Sequence, residues 1–232
     1  MIGVLGGMGP ESTAYTYAMM IRYCQERYGA RYDSDFPPIL IYSMPIPDVV
    51  EEGGNDAELL CLLEAGIRKL MAAGADFCII PCNTVQGFVP ALRKSTNVLS
   101  IVEETLKEAR ESGLKRWGVL GTEVTLRKGC FQWAFREAGL EVLEPGQERQ
   151  KEITAAIREI LAGGRNAQAK ERLLSVISSM REEGAEGIVL ACTDLPIALQ
   201  EAEGVKLLDT AGIIARAAVD QYKREQKQRC EK

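Results

Sequence analysis

Histidine is absent from all 232 residues. That removes Ser-His and Cys-His catalytic pairs and most transition-metal sites, and it leaves acid-base work to Cys, Asp, Glu, Lys or Tyr. No run approaches the roughly 18 apolar residues of a membrane span, and the chain opens on strand-like sequence rather than a charged, apolar signal segment. No block of Lys and Arg marks a nucleic-acid surface: 28 basic and 33 acidic residues are mixed along the chain, for a net charge of -5. The one dense charge cluster, residues 223–229, reads as the solvated, frayed end of a last helix. No two of the seven cysteines have CxxC spacing, so neither a disulfide framework nor a zinc site is favoured. These absences predict a protein of the cytoplasm with free thiols and no metal, membrane or nucleic-acid partner. The composition, 46% hydrophobic and 26% charged, suits a soluble globule with a core, either one large domain or two of about 100 residues.

What the chain does have is a matched pair of cysteines. The stretch Gly74-Ala-Asp-Phe-Cys-Ile-Ile-Pro-Cys82-Asn-Thr84 has a counterpart in Gly184-Ala-Glu-Gly-Ile-Val-Leu-Ala-Cys192-Thr-Asp194. A short apolar run bounded by Gly and polar residues reads as a buried parallel strand, and the carboxyl ends of such strands are where open α/β sheets place ligands. Gly3-Val-Leu-Gly6 likewise recurs as Gly118-Val-Leu-Gly121, and the spacing from the last glycine to the cysteine is 76 residues in one half and 71 in the other. Two landmarks at nearly equal separation predict an internal repeat. Two thiols at equivalent edges of two similar domains suit removal of a proton from one face of a carbon and return of one to the other.

Strand and helix patterns alternate almost throughout, which predicts an α/β protein of two pseudo-symmetric domains, each a mostly parallel sheet flanked by helices. In the first half we read strands at 1–5, 39–43, 77–81 and 98–101, and helices at 10–27, 56–73 and 102–111. In the second half strands fall at 117–120, 141–143, 187–191 and 206–208, and helices at 126–138, 150–161, 167–182 and 210–227. The expected domains are 1–101 and 102–208, with 209–227 crossing back onto the first.

Several short motifs carry candidate chemistry. Gly6-Gly-Met-Gly-Pro-Glu11 follows a strand and opens a helix. It lacks the Lys of a phosphate-binding loop and the third Gly of a dinucleotide fingerprint, so it reads either as a tight turn or as a loop whose bare N–H groups suit a small carboxylate, with Gly7, Met8 and Gly9 as candidates. Asn83 and Thr84 add hydrogen-bonding side chains beside Cys82, and Thr193 does so beside Cys192. Asp194 is a candidate supporting acid or a helix cap. Thr122 and Thr125, after the second Gly-Val-Leu-Gly strand, bind a carboxylate or cap the next helix. Ser43 opens the proline-restricted loop 43–48 and is its candidate contact. Cys24, Cys61, Cys78 and Cys130 read as small buried hydrophobes, and Cys230 as part of a disordered end.

Taken in order, Gly3-Val-Leu-Gly-Gly-Met-Gly-Pro-Glu-Ser-Thr13, Ile46-Pro-Asp48, the segment ending Pro81-Cys-Asn-Thr84, and Cys192-Thr193 resemble the aspartate/glutamate racemase superfamily from residue 2 to about residue 220. The resemblance is greatest to the aspartate and broader amino-acid racemases that use no cofactor. It implies two pseudo-symmetric domains with the site in the cleft, a homodimer, and a thiol/thiolate pair working without pyridoxal phosphate on a small amino acid or dicarboxylate. Carried over by position, Cys82 and Cys192 are that pair, and Asn83, Thr84, Thr122, Thr125, Thr193 and the Gly7–Gly9 loop line the substrate carboxylate sites. The chain departs from the family pattern at Gln86, where His is frequent, and at Asp194, where Glu is. It also has Val49 and Ala162 where Arg and Lys help hold an acidic side chain. A dicarboxylate without a partner for its second charge is poorly bound, so Arg22, Arg158 or Arg165 substitutes or the substrate carries a less acidic side chain. The remaining readings are a related isomerase or decarboxylase on another small carboxylate, and a non-catalytic carboxylate-binding protein.

Overall fold

Each half of the chain is organised around one fully buried strand. The computed structural model describes residues 1–46, 55–163 and 167–230, the side chain of Cys230 excepted. In the first half β1 (Ile2–Gly6) is buried along its whole length, as a central strand covered on both faces must be. It lies between β2 (Ile39–Ser43) and β3 (Phe77–Ile79), in the order β2-β1-β3 and with parallel pairing throughout. Parallel neighbours need crossovers, and these contain α1 (Pro10–Tyr28) and α2 (Asp56–Ala72). Pro10 suits the first turn of α1, where its missing N–H costs nothing, and Gly29 ends that helix at φ 65°. A short helix, α3 (Val89–Leu92), follows β3.

The second half repeats this plan. After α4 (Ile101–Glu111) come β4 (Arg116–Gly121), α5 (Glu123–Lys128), α6 (Cys130–Glu137), β5 (Glu141–Leu143), α7 (Gly146–Leu161), α8 (Ala167–Glu182), β6 (Gly187–Ala191), α9 (Leu195–Ala198), β7 (Lys206–Asp209) and α10 (Thr210–Cys230). The sheet order is β5-β4-β6-β7, again all parallel. Position for position, β1, β2 and β3 correspond to β4, β5 and β6. The place of β7 is taken in the first sheet by a single parallel bridge between Cys78 and Val98.

The chain divides into two compact units. Residues 1–46, 55–101 and 211–230 form one, and residues 102–163 and 167–210 the other, among those described. In the first, α2 packs on all three strands and α1 on β1, and the core contains Val4, Leu63, Leu70, Phe77 and Ile79. The last helix, α10, is held there by polar contacts too: Asp220 accepts hydrogen bonds from Tyr28 (2.7 Å) and Tyr23 (3.2 Å), and Arg229 pairs with Asp76 at 2.8 Å. In the second unit Leu120, Ile188 and Leu190 of the sheet pack with Ile153 and Ile157 of α7 and Leu173 and Ile177 of α8. Among the described residues, no helix is long and apolar enough to cross a membrane.

Four sequence expectations are corrected. The strand expected at 98–101 is reduced to one bridge, because β3 stops at Ile79: Pro81 has no N–H, and the Ile80 carbonyl turns to the N–H of Cys82 (2.7 Å). The helix expected at 126–138 is two helices, parted at Gly129, whose φ of 67° caps α5. The helix expected from Gln150 begins at Gly146, directly after Pro145. The last helix continues past Lys227 to Cys230 rather than ending in disorder.

Candidate active site

The register of each sheet brings the sequence-selected residues to one edge. In the first unit Gly6 pairs with Ser43, and Val4 with Ile79. Gly7 follows the end of β1 directly, and Cys82 follows β3 after the turn at Pro81, so both lie just past the carboxyl ends of neighbouring strands. In the second unit Gly121 pairs with Ala191, so Thr122 and Cys192 are the next residues out on neighbouring strands. Gly7, Ser43 and Cys82 thus share one carboxyl edge, and Thr122 and Cys192 occupy the corresponding edge of the other sheet.

Both cysteines are nearly sealed, Cys82 at 5% and Cys192 at 7% exposure, and Asn83, Thr84, Thr122, Thr125, Thr193 and Asp194 are buried as well. Ser43 is exposed. Each cysteine leads into a tight turn: Gln86 N–H donates to the Asn83 carbonyl (3.2 Å), and Leu195 N–H to the Cys192 carbonyl (3.1 Å). The helices that follow, α3 and α9, are single turns. They carry little of the macrodipole that a longer helix would bring to favour a thiolate.

The second thiol has a different neighbour. Cys192 donates to Asp194 Oδ2 at 3.7 Å, and both groups are buried. Asp194 sits at the N-cap position of α9 but makes no side-chain capping bond, so the capping role is not what its carboxylate does. No equivalent carboxylate follows Cys82, where Asn83 and Thr84 come next.

The glycine loop is more tightly folded than a bare anion cradle. Thr13 Oγ1 accepts the Gly7 N–H (2.9 Å) and donates to the Gly9 carbonyl (2.9 Å), which also receives Ser12 Oγ (3.0 Å). The Gly7 N–H is therefore already used inside the turn, in keeping with the tight-turn reading of the two the sequence allows. Gly7 itself is needed because φ is 93° and an added Cβ would lie 2.5 Å from the Met44 carbonyl oxygen. Met8 is buried and borders this turn. In the second unit Thr122 caps α5, its Oγ1 accepting Thr125 N–H at 3.1 Å and lying 2.9 Å from Thr125 Oγ1. The capping role expected as one of two for Thr122 is thus realised.

Of the other cysteines, Cys24 and Cys78 are buried as expected, and burial pushes the Cys78 thiol up to about 11. Cys61 is exposed and Cys130 half-buried, which corrects their assignment to the core. Ala162 stands just past α7 and brings no charge. The expectations for Pro47, Asp48, Val49, Gly164 and Arg165 lie outside the described residues. Sequence reasoning missed three supporting side chains. Gln86 bonds the backbone around Cys82, Gln150 Nε2 donates to the Gly121 carbonyl (3.0 Å), and Thr210 Oγ1 donates to the Leu190 carbonyl (2.8 Å).

Twin parallel α/β sheets, each ending in a buried cysteine beside small hydroxyl-bearing residues, define a racemase type of fold. The structure aligns with an aspartate racemase homologue from Pyrococcus horikoshii OT3 at a TM-score of 0.80 and 29% identity, over 96% of this chain and 98% of that one. It also aligns with the aspartate racemase of Picrophilus torridus at a TM-score of 0.82 over 96% and 94% of the two chains; at 22% identity this likeness is one of fold. In sequence, a broad specificity amino-acid racemase, RacX of Bacillus subtilis (strain 168), is 33% identical over 227 residues, 96% of this chain and 98% of its own. The sequence model of the Asp/Glu/Hydantoin racemase family matches residues 5–218. The chain belongs to the Asp/Glu/Hydantoin racemase family of isomerases.

Proposed function

We propose that the protein racemises a free amino acid through Cys82 and Cys192, one thiol serving each face of the α-carbon and no pyridoxal phosphate taking part. The observation that carries this reading is the duplication. Equivalent strands of two sheets of one topology each lead into a buried cysteine at the carboxyl edge, next to the strand that ends just before Gly7 in one case and just before Thr122 in the other. One cysteine as thiolate takes the Cα proton; the other as thiol gives one to the opposite face, and their protonation states are then exchanged. The Cys192–Asp194 contact supports Cys192 as the resting proton carrier, because a carboxylate at 3.7 Å opposes a second negative charge. The Cα–H is a very weak acid, so the developing carboxylate charge needs preorganised donors, for which Asn83, Thr84, Thr122, Thr125 and Thr193 are the candidates, with Ser43 and the Gly7–Gly9 turn at the same edges.

The substrate range extends beyond dicarboxylates in this reading. Ala162 supplies no cation, Val49 is apolar, and the relative at 33% identity is a broad specificity enzyme. Action as a homodimer in the cytoplasm belongs to the same reading and is supported by the family resemblance.

The test is circular dichroism of a panel of single amino-acid enantiomers with wild type, Cys82→Ser and Cys192→Ser. Both variants should keep the wild-type fold and lose at least a thousandfold in kcat/KM. Because the two enantiomers of a free amino acid are equally stable, that loss must be equal in the two directions. Substantial racemisation by both single variants would refute the two-thiol mechanism.

A further inference from the structure

The backbone that carries each thiol is held by a side chain lying outside the sheet edge. Gln86 is 3% exposed and uses its whole amide. Its Nε2 donates to the Ile80 carbonyl (3.2 Å) and to the Cys82 carbonyl (3.1 Å), and its Oε1 accepts the N–H of Ile101 (2.9 Å). The Ile80 carbonyl also accepts the Cys82 N–H at 2.7 Å, which closes a three-residue turn around Pro81. A turn of three residues does not fix the direction of its last side chain. Two further bonds from one buried amide, one on each side of Pro81, do fix it.

The second unit has a smaller version of the device. Thr210, fully buried, donates Oγ1 to the Leu190 carbonyl at 2.8 Å. Leu190 stands two residues before Cys192, as Ile80 stands two before Cys82. The anchoring points also correspond. Ile101 opens α4 and Thr210 opens α10, the helices that follow the bridge at Val98 and strand β7. Ile101 and Thr210 are moreover the residues at which the chain passes from one compact unit to the other.

We infer that Gln86 and Thr210 are positioning residues, Gln86 for Cys82 and Thr210 for Cys192, each tying its thiol's backbone to the first residue of the helix at a crossing point. The inference rests on the two-thiol reading for its catalytic consequence, but the positioning itself is measurable without turnover. Gln86 supplies two N–H donors to one loop, whereas Thr210 supplies a single hydroxyl to one carbonyl, so Cys82 is the more tightly dependent of the two.

The experiment uses the full-length chain and the variants Gln86→Leu, Gln86→Met and Thr210→Val, which keep side-chain size and delete the hydrogen bonds. The rate of iodoacetamide alkylation at each cysteine is read peptide by peptide by mass spectrometry, alongside kcat, KM and Tm. The two Gln86 variants should change the alkylation rate of Cys82 at least fivefold and leave Cys192 within twofold, and Thr210→Val should do the reverse. On a substrate, Gln86→Leu should lower kcat at least tenfold with KM within threefold. If Gln86→Leu does not fold, Gln86→Met carries the same test. Equal changes at both cysteines, or no change at either in folded variants, would overturn the inference. The crossed alkylation pattern without racemisation of any amino acid would keep the positioning and reject the racemase reading.

Discussion

Replacing Asp194 by Asn removes one negative charge from beside Cys192 and changes almost nothing in shape. The thiol donates to Oδ2 over 3.7 Å with both partners buried. A thiolate and a carboxylate at that separation repel by about 1 kcal/mol if fully screened by water and by about 4.5 kcal/mol at an effective dielectric of 20. Burial weakens the screening, so the cost lies toward the upper figure before the surroundings relax and at about 2–3 kcal/mol after they do. Removing it raises the thiolate population of Cys192 by roughly 30- to 160-fold. Alkylation by iodoacetamide at pH 7 reads that population directly, since the thiolate is the nucleophile. In Asp194→Asn the Cys192 peptide should be modified roughly thirtyfold faster, with the Cys82 peptide as internal control. Racemisation should slow, because Cys192 no longer rests as a proton donor, and kcat/KM must fall equally for both enantiomers. A Cys192 alkylation rate within twofold of wild type would refute the electrostatic role of Asp194.

Gly187→Ala tests the second core: an added Cβ would stand 2.2 Å from Cζ3 of the buried Trp117, so the variant should lose about 3 kcal/mol in urea denaturation. Thr122→Ala removes the cap of α5 and should cost about 1 kcal/mol, and a rise in substrate KM on top of that would place its hydroxyl at the substrate. Tyr28 gives a pH prediction. Burial first, then the hydrogen bond to Asp220, push its phenol up to about 12. A folded pKa above the ordinary value of 10 means stability that is complete below pH 10 and lost as pH rises through 12. Wild type should therefore lose stability over that window more steeply than Tyr28→Phe, and parallel curves for the two would contradict the assignment.

The parts of this molecule that follow from local pattern are legible in its sequence. Strand β2 at 39–43, strand β6 at 187–191 and helix α8 at 167–182 have the bounds their apolar spacing predicts. The duplicated Gly-Val-Leu-Gly strands are legible for the same reason: each is the fully buried centre of a parallel sheet. What is not legible depends on bonds between residues distant along the chain. The break at Gly129 has a visible signal, a glycine inside a helical pattern, which loses to the apolar periodicity around it. The missing strand at 98–101 has none, because it depends on where the Ile80 carbonyl turns. At the site, the cysteines stand out by repetition alone, whereas the work of Gln86 is hidden: a polar residue four positions after a cysteine is ordinary until its amide is found spanning Ile80, Cys82 and Ile101. The glycine loop leaves two readings open in the sequence, a tight turn and an anion cradle. Its composition allows free N–H groups, yet Thr13, one turn into α1, has already taken the first of them.

The central claim is proton transfer at an α-carbon by two thiols, and its most direct test is proton NMR of single amino-acid enantiomers in D2O with the reduced enzyme. The account predicts that the Cα–H signal of at least one amino acid disappears while the opposite enantiomer, deuterated at Cα, accumulates to an equal share. It further predicts that Cys82→Ser and Cys192→Ser each stop that accumulation. A panel that includes acidic and neutral side chains, incubated with folded wild-type enzyme whose thiols are reduced, and showing neither exchange nor inversion, would contradict it.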